Sequence, residues 1–143
     1  ESKGTALMLP EDVLIAAQIA ADAAVQTVDV KDVPSDMMIL DIGPKTVLKY
    51  QEAIATARTI IWNGPLGVYE YEPFSHGTRE VARAVASSSA LSVIGGGDSV
   101  AAVHDLGVEK GITHISTGGG ASLEFLEGWE LPGVAVCEAV PTA

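Results

Sequence analysis

Three short glycine-bearing stretches hold the residues best suited to chemistry: Asn63-Gly64-Pro65-Leu66-Gly67, Gly95-Gly96-Gly97-Asp98-Ser99 and Ser116-Thr117-Gly118-Gly119-Gly120. Each follows directly on a short apolar run that reads as a strand. In a parallel sheet all three turns fall at the carboxyl edge, where open α/β folds bind ligands. Two of them open helical patterns. Glycine there leaves backbone N–H groups unobstructed at the positive end of a helix, a ready anion site. Two such turns in one chain point to a phosphate-rich ligand, although tight turns alone account for any one of them.

Known phosphate motifs are absent. No Gly-Lys-Ser/Thr follows either triple glycine, and neither has the spacing of a dinucleotide fingerprint. Asp98 departs from both patterns in an informative way. A carboxylate beside a phosphate-binding turn is repulsive unless a cation lies between, and Mg²⁺ carried by a nucleotide supplies one, since it takes one or two protein carboxylates plus phosphate oxygens. Capping a helix is the other role open to Asp98, and the two are compatible. Glu70, in the loop from Gly64 to Phe74, could accept hydrogen bonds from ribose hydroxyls or simply be solvated. His76, His104 and His114 are too scattered for a metal site and read as surface or satisfied core residues. Cys137 reads as buried filler and Trp62 as core.

The elements that position these corners follow from patterning. Strands are expected at Ala6–Leu9, Met37–Leu40, Thr59–Trp62, Leu91–Ile94 and Ile112–Ile115, with residues 13–29 ambiguous between helix and strand. Gly43-Pro44 opens a helix whose apolar face is Val47, Tyr50, Ile54 and Ala57. Ser75 can cap a second helix with inner face Val81, Ala82, Val85 and Ala86, broken at Ser87–Ser89. A third runs through Val100–Leu106 to a left-handed stop at Gly107, and a last one carries Leu123 and Leu126 to Gly128. The tail from Trp129, with Pro132 and Pro141, is expected to be irregular. Strands alternating with helices indicate an α/β fold, a Rossmann-like three-layer arrangement on a mainly parallel sheet.

The chain has 143 residues, 48% hydrophobic and 19% charged, enough apolar material for one domain or part-domain and too much for disorder. Eight Lys and Arg against 19 Asp and Glu leave a net charge of −11, which disfavours a nucleic-acid surface or a polybasic membrane patch. One cysteine excludes an intramolecular disulfide framework and suits a reducing compartment. The opening Glu-Ser-Lys-Gly reads as an internal start, so a piece of a longer chain is expected.

The stretches Trp62–Glu70, Gly95–Ser99, Ser116–Glu124 and Leu131-Pro132-Gly133-Val134, with Asp41-Ile42-Gly43-Pro44 and Leu9-Pro10-x-Asp12 before them, closely resemble phosphoglycerate kinase in motif, order and spacing. The resemblance covers essentially the whole chain, as the later part of the family's C-terminal, nucleotide-binding domain. It implies reversible phosphoryl transfer between 1,3-bisphosphoglycerate and ADP, giving 3-phosphoglycerate and Mg·ATP, by a cytoplasmic glycolytic enzyme. By it, Glu70 holds the ribose hydroxyls and Asn63 lies near the phosphate chain. Gly96, Gly97, Asp98 and Ser99 meet the phosphates, with Asp98 on Mg²⁺, and Leu40 and Pro65 wall the adenine pocket. Gly118, Gly119 and Gly120 open the helix that points at the transferred group. Ser99 stands where Thr is commoner, and Ile39 where many members have Gly.

The family's N-terminal domain, which binds the triose, and its catalytic lysines are not among these residues. Phosphoryl transfer needs cations at the migrating charge, so the chain alone is expected to lack turnover and to depend on the remainder of the enzyme. Three other readings stay open: a non-catalytic nucleotide- or anion-binding module, a structural half-domain that folds by docking, and an unrelated NAD-binding domain.

Overall fold

The computed structural model describes residues 4–116 and 118–138. Among the described residues, six strands fall into two sheets. The first contains β1 (Asp12–Ala16), β2 (Gln26–Asp29) and β3 (Met38–Ile42), in the antiparallel order β2-β1-β3. The second contains β4 (Thr59–Asn63), β5 (Leu91–Gly95) and β6 (His114–Ile115), in the parallel order β4-β5-β6. The expected α/β class and parallel sheet are present. The antiparallel sheet resolves the ambiguous stretch 13–29 into β1, a turn region and β2 rather than a helix.

Helix α1 (Pro44–Thr56) begins at the proline, whose missing N–H needs no partner at that position. Between parallel strands run α2 (His76–Ser87) and α3 (Gly97–Asp105), the crossovers that parallel pairing requires. Trp62, Ile94 and Ile115 lie side by side in the register of the parallel sheet. Their row packs with Ala82 of α2 and Val103 of α3 to form one core. A second core joins Ala16, Leu40 and Phe74. The neighbouring row, Ile61, Val93 and His114, faces the other way. Ile61 there is 49% exposed.

Past β6 come α4 (Gly120–Leu126) and α5 (Pro132–Glu138). The left-handed stops are as expected, with φ of +65° at Gly107 and +86° at Gly128. Four expectations need correction. Ala6–Leu9 forms no strand and is exposed, because no described strand pairs with it. The expected strand at Ile112–Ile115 pairs only over His114–Ile115. The tail is not all irregular, since Pro132 starts α5 as Pro44 starts α1. Cys137, on α5, is exposed rather than buried. Among the described residues no helix is long and apolar enough to cross a membrane.

Candidate nucleotide-phosphate site

In the parallel register Asn63 pairs with Gly95, and Ile94 with Ile115, so the three glycine turns leave one edge of one sheet. They also touch. A β-carbon on Gly96 would lie 2.9 Å from Asn63 Oδ1, and one on Gly95 would lie 3.9 Å from the Gly119 carbonyl oxygen. Gly96, Gly97, Val100, Ser116 and Gly119 line a recess of about 280 Å³ between the corners. Gly118 and Gly120 flank Gly119, with the Gly118 N–H donating to Ser116 Oγ at 3.2 Å. Thr117 lies outside the described residues.

Helix starts differ in how their first N–H groups are satisfied. At α1 the Asp12 carboxylate, from β1, accepts from Lys45 N at 3.0 Å and Thr46 N at 2.8 Å. Burial pushes this carboxyl up, but donation from the Thr46 hydroxyl and the two amides, with the Lys45 charge, brings it below its ordinary value. At α2 the Asp41 carboxylate, from β3, accepts from Gly77 N at 2.8 Å. Burial dominates at Asp41 and raises its pKa. Ser75, expected to cap α2, instead donates its hydroxyl to the Glu72 carbonyl at 2.9 Å. The α3 start has no such partner. Gly96 precedes it with φ of +86° and no side chain, and the first backbone bond back is Val100 N to Gly96 O. Among the described residues nothing accepts from the N–H groups of Gly97, Asp98 and Ser99, which are oriented as the first turn of a helix requires.

Around this opening, buried side chains fix the backbone. Ser99 is fully buried, and its hydroxyl accepts from Gly64 N at 2.7 Å, so it steadies the Asn63-Gly64 corner. The Trp62 indole donates to the Gly64 carbonyl at 2.7 Å, a polar duty beyond its core role. Asp98 is exposed on the first turn of α3. Among the described residues no three metal-binding side chains converge.

Glu70 is exposed in the loop after β4 and lines a cleft of about 360 Å³ with Tyr69, Arg79, Asp105 and Leu106. Burial, then the charges of Asp105, Asp98 and Glu70, push the Tyr69 phenol above its ordinary pKa, so these groups share one neighbourhood. Arg79 carries no sequence signal of its own, because α2 holds Arg79, Glu80 and Arg83 as an ordinary mixed-charge face. Pro65 is half-buried in the loop. Leu40 is 5% exposed and packs with Ala16 and Phe74, while its carbonyl accepts from Val68 N at 2.9 Å. Ile39, beside it, is 53% exposed. The three histidines are exposed, as expected for surface residues, and His104 Nδ1 lies 2.7 Å from Glu109 Oε1.

The family model described as phosphoglycerate kinase matches residues 1–129. The phosphoglycerate kinase of Herpetosiphon aurantiacus is 53% identical over 135 residues, covering 94% of this chain and 34% of that protein. That of Chloroflexus aurantiacus is 54% identical over 141 residues, covering 96% and 35%. Among solved structures, phosphoglycerate kinase from Coxiella burnetii superposes with a TM-score of 0.89 at 44% identity, over 94% of this chain and 35% of that one. The chain thus spans about a third of the length of the relatives it matches.

Proposed function

Because the chain belongs to the phosphoglycerate kinase family, we propose that it supplies the amide-lined part of a Mg·ADP/Mg·ATP site for phosphoryl transfer between 1,3-bisphosphoglycerate and ADP. One observation carries the reading: the starts of α1 and α2 are satisfied by internal carboxylates, whereas the start of α3 opens onto a recess that Ser116 and Gly119 of the next glycine corner also line. A phosphate chain in that recess accepts hydrogen bonds from the exposed Gly97 and Asp98 N–H groups and meets no β-carbon at Gly96 or Gly119.

In this reading Asn63 lies alongside the phosphates, Glu70 accepts from the ribose hydroxyls, and Pro65 and Leu40 bound the base side. Gly118, Gly119 and Gly120 present the start of α4 toward the transferred group. Bound Mg²⁺ neutralises phosphate charge, and Asp98 is the side chain that would hold it. The residues lining the recess include no basic one. The cations that phosphoryl transfer requires therefore come with the remainder of the enzyme, as does the triose site. The exposed row at Ile61 supports such a partner, since parallel sheets are ordinarily covered on both faces. The reading includes a cytoplasmic, glycolytic parent and an isolated chain without turnover.

Calorimetric titration of this chain with ADP, in excess Mg²⁺ and in chelator, tests the proposal. Binding is expected to be weak and to strengthen by about tenfold, some 1.4 kcal/mol, with Mg²⁺, and Asp98→Asn should erase that gain. Equal binding with and without the metal, or an unchanged gain in Asp98→Asn, would count against it.

A further inference from the structure

Resting on the nucleotide reading above, we propose that Asp41 is a positioning residue of that site: its buried carboxylate joins the loop presenting Glu70 to the end of β3 and the start of α2. Asp41 is 1% exposed and follows Leu40 on β3. Its two oxygens are both engaged, Oδ1 by Ile42 N and Oδ2 by Gly77 N, each at 2.8 Å. On the loop side, Gly67 comes so near that a β-carbon there would fall 2.5 Å from Asp41 Oδ1 and 2.5 Å from the Phe74 carbonyl oxygen. The carboxylate therefore fills a space bordered by two glycine backbones, one on the loop and one on α2.

Two hydrogen bonds, besides the close approach of Gly67 to Asp41, hold the loop to the same two elements. Val68 N donates to the Leu40 carbonyl at 2.9 Å, and Leu66 N donates to Thr78 Oγ1 at 3.0 Å, with Thr78 fully buried. Glu70 follows two residues after Val68 and is itself exposed. Its position is thus inherited from the clasp beneath it. A buried carboxylate is costly unless hydrogen-bonded, and Asp41 recovers part of that cost by capping α2 in place of Ser75, whose side chain makes no cap bond. What Asp41 adds is one point where strand, loop and helix meet. A displacement of about 1 Å at a ligand-binding group is enough to weaken function by up to about two orders of magnitude.

The test is steady-state kinetics on a complete kinase carrying this chain, with thermal unfolding measured on the same samples. The variants are Asp41→Ala, Asp41→Asn, Thr78→Ala and Val85→Ala, the last a buried core change on α2 away from the loop. Asp41→Ala should raise the KM for Mg·ADP about tenfold and leave the KM for 1,3-bisphosphoglycerate within about twofold. Asp41→Asn should fall between, because its amide oxygen keeps the bond from Gly77. Thr78→Ala should move the same KM in the same direction by less, and decides the matter should the Asp41 variants not fold. Val85→Ala should lower the unfolding temperature without moving the KM. The proposal is overturned if Asp41 and Thr78 variants lose only thermal stability, as Val85→Ala does. A parent enzyme indifferent to Mg·ADP would instead overturn the nucleotide reading on which it rests.

Discussion

At Gly96 the backbone has φ of +86°, and a methyl group would press on Asn63 Oδ1 at 2.9 Å. The positive φ by itself favours glycine, and the close approach of the Asn63 side-chain end ties the Asn63 corner to the start of α3 at this residue. Gly96→Ala should cost about 1–3 kcal/mol of stability from backbone strain, read as a lower midpoint in denaturant. ADP affinity should fall with it, because Asn63 must swing to make room. An alanine variant with unchanged midpoint and affinity would show that neither constraint holds. Ser99 illustrates the limit of reading single residues. Its place after Asp98 suggests a hydroxyl on phosphate, yet the residue is fully buried and its hydroxyl accepts from Gly64 N.

Elements α1 and α2 borrow their caps from distant strands. Asp12 accepts from the first turn of α1 across more than thirty residues of sequence, and Gly43 has no room for a β-carbon beside that carboxylate. Asp12→Ala leaves buried donors without acceptors and should cost about 1–3 kcal/mol. The pH dependence has a definite sign. The folded-state pKa lies below the ordinary 3.8, so the carboxylate stabilises the fold above that value, and the contribution is lost as pH falls through the lowered one. Denaturant unfolding at neutral pH and near pH 3 should show a flatter acid limb in Asp12→Asn than in the parent; parallel limbs would refute the assignment. These caps were not legible in the sequence because the acid and the amides it serves are far apart along the chain. Local signals were legible: Gly43-Pro44 announces α1, Gly107 and Gly128 end α3 and α4, and the apolar runs before the glycine turns are β4 and β5. The antiparallel sheet was not, since β1 is buried throughout and shows none of the alternation that marks a strand with one wet face.

For the molecule as a whole, composition and geometry agree. A chain of net charge −11 cannot grip a polyphosphate with side-chain cations, and the recess it forms is walled by backbone instead. The uncovered row of the parallel sheet, with Leu91 52% exposed beside it, fits a chain that spans about a third of its relatives' length. The most direct test follows the amides themselves. In a ¹H–¹⁵N titration of this chain with Mg·ADP, the N–H signals of Gly96, Gly97, Asp98, Ser99, Gly119 and Gly120 should shift together with one saturation curve. The capped amides of Lys45, Thr46 and Gly77 should stay still. Saturable shifts confined to other surfaces, or shifts equally large at the capped helix starts, would contradict an amide-lined phosphate site at this sheet edge.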